Sequence, residues 1–282
     1  GTGRSGTTIV FRMLASHPEF GWFSNYSNRF PRMPQMALFS RLFDRYCHGG
    51  ERHGLKVILP VPKEAVEVPR VVTDGWFSQP RTIAPGETAR KILDDYRRNI
   101  LATLRWQGKS RFLHKHTGFA RAAFLHELDA SGVFINVIRD GRAVVDSLLR
   151  VDWWSGSLDS WWWGDFPPDY AEQFRASGDD PAVLAAFVWL HLTDLIEEEL
   201  GTLPDGTVCS IRYDEFVRAP DETMETLCRF AGLEINAEFR ERLSRFNLRD
   251  GDAGWQRRLT PKQIQAVEGI LAERLGNLGF SV

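Results

Sequence analysis

Cysteine is scarce in this chain: Cys47, Cys209 and Cys228 are the only three in 282 residues. Three thiols cannot all pair, and their wide spacing makes neither a disulfide framework nor a metal-ligand cluster. A reducing compartment is therefore the default, and the expected location is cytoplasmic. Long apolar runs are missing too. None reaches the roughly 18 residues that span a bilayer, so no membrane segment is expected. Excess charge of one sign is also absent, with 35 Lys and Arg against 37 Asp and Glu and a formal net charge of −2. That balance gives no reason to expect nucleic acid or an anionic membrane surface as the main partner. Repeats and low-complexity linkers are lacking, so residues 1–282 read as a single domain, long but within the range of one α/β unit.

What is present is an ordinary globular mix, 43% hydrophobic and 26% charged, with ten tryptophans. Five of them, Trp153, Trp154, Trp161, Trp162 and Trp163, fall in one short stretch. Outside that stretch, strand-like and helix-like segments alternate. The pattern predicts an α/β fold in three layers, a mostly parallel sheet flanked by helices. Helices are expected over about 7–16, 87–107, 119–128, 142–150, 181–200 and 221–231, near 237–246, and from Pro261 onward. Strands are expected over 111–116, 133–138 and 207–212. Residues 20–60 read as an irregular aromatic excursion, and 251–254 as a Gly-rich loop.

The opening Gly1-Thr2-Gly3-Arg4-Ser5-Gly6-Thr7-Thr8 is a Gly-rich turn running straight into a helix. Such a turn aims several N–H groups at one point, and the helix dipole favours an anion there. The spacing resembles a nucleotide P-loop with one departure. Thr7 stands where the triphosphate-binding lysine belongs, and Arg4 supplies the positive charge instead. A terminal anion suits this turn better than a metal-bound triphosphate. The plainer reading is a turn that only caps a helix. A loop of this kind follows a strand, so a strand is expected ahead of Gly1, outside this sequence, as would be any targeting segment.

A second anion clamp is expected at the end of the apolar strand Val133–Ile138, where Arg139, Asp140 and then a helix with Ser147 follow. Ligands of parallel sheets gather beyond the carboxyl ends of the strands. A guanidinium fork and a hydroxyl together suit a phosphate, with Asp140 as the helix N-cap. Alternatively, Arg139 pairs with a surface acid.

Together, GTGRSGTT and VIRDGRAVVDSLLR resemble the two cofactor signatures of the PAPS-dependent sulfotransferases, closest to the bacterial and carbohydrate-type branch. The resemblance implies a P-loop-like sulfotransferase fold and 3′-phosphoadenosine 5′-phosphosulfate (PAPS) as donor, with adenosine 3′,5′-bisphosphate as product. It implies that Gly3, Arg4, Ser5, Gly6, Thr7 and Thr8 hold the 5′-phosphosulfate, and Arg139 and Ser147 the 3′-phosphate. Tyr213 is similar to the family's tyrosine near the adenine. The tail GWQRRLTPKQI is similar to a segment that closes on the cofactor, which implies roles for Trp255 and Arg257.

Sulfuryl transfer needs in-line geometry and stabilised charge, and fixed cations such as Arg4 can replace a metal, so none is expected. A hydroxyl acceptor also needs a base, and His114-Lys115-His116 offers candidates. By resemblance the strand-end position falls on His116, with His114 second. Lys115 faces either the cofactor or solvent. Other branches use a Glu after the first helix, or a Glu-Lys pair near this strand, and the stretch WFSNYSNRFPR after the first helix contains no Glu. The plainer reading makes these histidines structural. The five tryptophans suggest a pocket for a small-molecule or carbohydrate acceptor, with Trp22, Tyr26, Phe30 and Phe39 as a second wall. They serve equally as core or as an interface. Two other functions stay open, a P-loop kinase or NTPase and a non-catalytic binding protein on the same fold.

Overall fold

The alternating pattern is realised as parallel strands with helices against both faces. The computed structural model describes residues 1–42, 60–116, 118–248 and 254–281. Helix α1 (Thr7–Ala15) leaves the opening turn and leads into strand β1 (Phe20–Trp22). Helices α2 (Asn25–Arg29), α3 (Glu67–Val72) and the long α4 (Arg90–Gln107) precede β2 (Arg111–Leu113). Helix α5 (Ala122–Leu128), strand β3 (Phe134–Ile138) and helix α6 (Gly141–Leu148) follow. Next come α7 (Pro168–Ala176), α8 (Pro181–Gly201), β4 (Val208–Arg212), α9 (Tyr213–Arg218) and α10 (Pro220–Phe230). The chain ends through α11 (Ala237–Leu243), α12 (Trp255–Arg258) and α13 (Pro261–Asn277).

The described strands form two parallel pairs, β1 with β2 and β3 with β4, where the sequence suggests one sheet. The register of the second pair positions the site. Ile138 lies opposite Arg212, so the next residues, Arg139 and Tyr213, leave the strand ends side by side.

Alternation along β3 sorts its side chains into two cores. Ile138 packs with Val144, Val145 and Leu148 of α6, with α8, and with Val267 and Leu271 of α13. Ile135 and Val137 face the opposite way, toward Val10, Met13 and Leu14 of α1 and toward Met224 and Leu227 of α10. A third cluster, built from Phe23, Phe77, Tyr96 and Phe124, lies beneath the other strand pair.

Asp140 caps α6 as expected, accepting from the Arg142 N–H at 2.9 Å. Thr260 and Gln263 form a capping box at α13, with Pro261 in its first turn. Strand β2 stops at Leu113, short of the histidines. Helices α7 and α9 fall where sequence periodicity gives no helix. Each carries its own local signal, Pro168 with Asp169 in one and Asp214 with Glu215 in the other, both favourable in a first turn. Part of the 20–60 excursion (43–59, with Cys47) and most of the 251–254 loop lie outside the described residues. Among the described residues no helix is long and apolar enough to cross a membrane.

Helix α6 begins with Gly141 because nothing larger fits there. A Cβ would lie 2.7 Å from Leu271 Cδ1 and 2.8 Å from the Trp189 ring. Gly141→Ala should therefore destabilise the fold by about 1–3 kcal/mol through overpacking. The check is a lowered urea midpoint at unchanged slope.

Candidate active site

Three segments converge beyond the strand ends: the opening turn, the β3–α6 junction and the β4–α9 junction. The turn holds itself in shape. Thr2 Oγ1 donates to Ser5 Oγ at 3.2 Å, and the Ser5 hydroxyl donates to the Thr2 carbonyl, so Ser5 is buried as an internal brace. Gly6 has φ +88°, and a Cβ on it would lie 2.2 Å from the Tyr213 ring. Only glycine allows the turn to press this closely on Tyr213. A Cβ on Gly3 would meet nothing within 4 Å, so that side of the turn is open. Thr7 is half-buried and Thr8 exposed, in the first turn of α1, whose N–H groups lack helical partners.

Arg4 adopts a left-handed backbone at φ 67°, a conformation uncommon outside glycine. Its Nε donates to Ser147 Oγ on α6 at 2.9 Å. Arg139 Nη1 donates to the Arg4 carbonyl at 2.8 Å, and its guanidinium lies 4.7 Å over the Tyr213 ring. The two anion elements read from the sequence are therefore in direct contact. Burial first, then repulsion from Arg139 and Arg150, lowers the Arg4 pKa. Among the described residues Arg4 has no carboxylate partner. Converging guanidinium groups beside a helix N-terminus make an anion site.

Behind this cluster, Asp146 of α6 accepts two bonds from Arg258, both 2.6 Å, and one from Arg150 at 3.1 Å. The sequence points to Arg257, but Arg257 is exposed and its neighbour Arg258 reaches the clamp helix. Trp255 is buried in the α6–α8–α13 core, with the Arg142 guanidinium 4.7 Å over its ring.

Past β2, His114 and His116 share one side with rings nearly parallel, 6.4 Å apart. They line a cavity of about 180 Å³ with Glu64, Phe77, Phe119, Arg121, Trp162 and Trp163. His116 Nε2 lies 2.7 Å from the Phe119 carbonyl, so this nitrogen carries the proton and donates. Burial drives the His116 pKa down to about 4, although Glu64 pulls it upward. Burial also lowers His114, to about 3, and its Nε2 has no hydrogen-bond partner among the described residues. Lys115 turns to the other side and pairs with Glu64 at 2.5 Å. The pair lies near Gly1, at the start of the turn.

The tryptophan stretch divides. Trp162 and Trp163 reach the cavity, Trp154 packs into the core, Trp161 packs at its edge, and Trp153 is half exposed. Trp22 is buried beneath α1, and Tyr26, Phe30 and Phe39 do not line the cavity. Its second wall comes instead from Glu64, Val66, Pro69 and Phe77. Sequence reasoning passed over these because they belong to no motif. The stretch WFSNYSNRFPR after α1 holds no Glu, and the Glu-Lys pair near the end of β2 is Glu64 with Lys115, 51 residues apart in sequence.

The molecule is similar in fold to several solved structures. A sulfotransferase from Mycobacterium avium (STF9) superposes with a TM-score of 0.60 at 15% identity, over 100% of this chain and 76% of that one. The sulfotransferase STF1 from Mycobacterium tuberculosis gives 0.58 at 14% identity, over 97% and 75%. The sulfotransferase domain of the curacin biosynthetic pathway gives 0.53 at 14% identity, over 100% and 96%. No curated protein matches by sequence. A family model described as "Sulfotransferase family" matches residues 1–237, which include the Arg4 turn, the Arg139–Ser147 clamp and Tyr213. The chain belongs to the sulfotransferase family.

Proposed function

We propose that this enzyme, acting as one domain over residues 1–282 in the cytoplasm, transfers a sulfuryl group from PAPS to a hydroxyl or amine on a small acceptor. The observation that supports this most is the chain of contacts Arg139–Arg4–Ser147, which joins both anion elements in one cluster with no carboxylate on Arg4 among the described residues. The cluster fits a doubly anionic nucleotide. Gly3, Gly6, Thr7, Thr8 and Arg4 would hold the 5′-phosphosulfate, while Arg139 and Ser147 would hold the 3′-phosphate. Tyr213 would lie beside the base. Ser5 shapes the turn, Arg258 with Asp146 braces the clamp helix, and Trp255 supports it from below. Free thiols at Cys209 and Cys228 fit a reducing compartment.

When bound, the donor supplies the sulfuryl group. An O–S or N–S bond forms to the acceptor, the S–O bond to the 5′-phosphate breaks, and its electron pair stays on that phosphate. Arg4 and the N–H groups of the first turn of α1 stabilise the charge that develops there. His116 takes the acceptor's proton. Its Nε2–H is committed to the Phe119 carbonyl, which leaves Nδ1 as the accepting lone pair. A value near 4 keeps the ring neutral at neutral pH, ready to accept. Glu64, held by Lys115, favours the imidazolium that results. His114 is the poorer acceptor, with a lower pKa and an enclosed Nε2.

Arg139→Ala should weaken binding of adenosine 3′,5′-bisphosphate by about 10–100-fold, the worth of a charge-assisted phosphate contact. Isothermal titration calorimetry tests this, and unchanged affinity would remove Arg139 from the site.

His116→Asn should leave that affinity intact and lower kcat by about 10²–10⁴. The pH–rate profile carries the finer test. The base must be neutral, so activity should fall as pH drops through about 4 and be flat from 6 to 8. Glu64→Gln removes the charge that raises the His116 pKa, so the acid limb should move to still lower pH. An acid limb near 6.5 in the native enzyme would exclude the buried His116 as the base.

A further inference from the structure

The cavity beside His116 has walls that choose among acceptors, an argument that rests on the sulfotransferase reading. Its size comes first. At about 180 Å³ it is slightly larger than the roughly 150 Å³ that accommodates one benzene ring. Its surface comes second: Phe77, Phe119, Trp162, Trp163 and the two imidazoles present rings on several sides.

The third point is the state of the polar groups in the wall. Arg121, only 3% exposed, spends its nitrogens on backbone carbonyls. Nε donates to Phe77 at 2.6 Å, Nη1 to Ala120 at 2.6 Å and Arg81 at 3.0 Å, and Nη2 to Gln79. Gln79 Oε1 accepts from Arg81 Nε at 2.8 Å. Glu64 is tied to Lys115 and His116 Nε2 to Phe119, which leaves His114 Nε2 as the buried polar atom of the wall without a partner among the described residues. A polyol entering this space would leave most of its hydroxyls without partners, a penalty that strongly disfavours it. A flat apolar ring with a single reacting hydroxyl meets no such penalty.

The apolar surface continues outward. Trp162 lines the cavity and also stands 5.7 Å from Trp153, centroid to centroid, at a 34° tilt. These two rings are 51% and 49% exposed, beside Leu158 at 43%. Exposed, adjoining indoles at the rim of a site are a ready surface for an apolar chain.

We propose that the acceptor is a single-ring aromatic alcohol bearing an apolar substituent, with its ring in the cavity and the substituent lying on the Trp153–Trp162 face. The ring's hydroxyl oxygen forms the new bond to sulfur and its proton passes to His116. Trp153 then sets specificity for the substituent without touching the reacting atoms.

The test compares phenol, 4-butylphenol and methyl glucoside as acceptors, with saturation-transfer NMR reading acceptor binding separately from turnover. 4-Butylphenol should exceed phenol by about tenfold or more in kcat/KM, from partial burial of its chain. The glucoside should be the poorest of the three. Trp153→Ala should erase the gain for 4-butylphenol and leave phenol within about twofold, and Trp153→Phe should restore part of the gain. Equal values for phenol and 4-butylphenol, a gain that survives Trp153→Ala, or a preference for the glucoside would overturn the proposal. If adenosine 3′,5′-bisphosphate binds but neither phenol gives an NMR signal, the acceptor assignment fails and the sulfotransferase reading stands. If both phenols bind with the Trp153-dependent gain but neither is sulfated and the bisphosphate does not bind, the cavity assignment stands and the proposed reaction fails.

Discussion

The constraint on which the site depends is the register of β3 against β4. Because Ile138 sits opposite Arg212, Arg139 and Tyr213 emerge as neighbours, and the guanidinium comes to lie on the aromatic ring. Tyr213 in turn presses on Gly6, which fixes the height of the opening turn above the strand ends. From there Arg4 reaches Ser147 on the helix that β3 itself starts. A slip of one residue in this pairing would turn Arg139 to the other face of the sheet and separate the clamps.

The positive charge collected in this way is costly to hold without an anion. Burial first, then repulsion from Arg139 and Arg150, lowers the Arg4 pKa, and Asp146 accepts from Arg150 and Arg258 behind the cluster. A nucleotide-triphosphate enzyme would be expected to place a lysine and a metal-binding acid here. Thr7 stands in the lysine's place and Arg4 supplies the charge instead, and family membership sets the kinase reading aside. In the cavity beside the histidines the balance reverses, toward apolar rings, with Arg121, Glu64 and His116 Nε2 engaged and His114 Nε2 the buried polar atom left over among the described residues.

Local chemistry made the anion elements legible in the sequence. A Gly-rich turn feeding a helix, and an apolar strand ending in Arg-Asp, are short and contiguous, and the physics that shapes them is in the motif. The helices α1, α4, α8 and α13 were readable to within a few residues for the same reason. The acceptor wall was not readable. Glu64 reaches Lys115 across 51 residues of chain, and Phe77 faces the histidines only because α3 and the turn after it fold back over β2. No local pattern encodes such a meeting. The tryptophans misled in part, since their number suggested one pocket while packing sends Trp154 to the core and leaves Trp153 at the surface. Arg257 and Arg258 differ by one position on a single helical turn, too fine a distinction for sequence spacing to make.

The buried carboxylate of Asp146 has a wider consequence. It belongs to the clamp helix, yet its bidentate partner is Arg258, beyond residues 1–237, the stretch that the family model matches. The helix that carries the anion clamp is therefore braced by a segment outside the stretch matched by the family model. Relatives with a different tail would have to neutralise this acid some other way, and the rigidity of the floor under their donor would change with it.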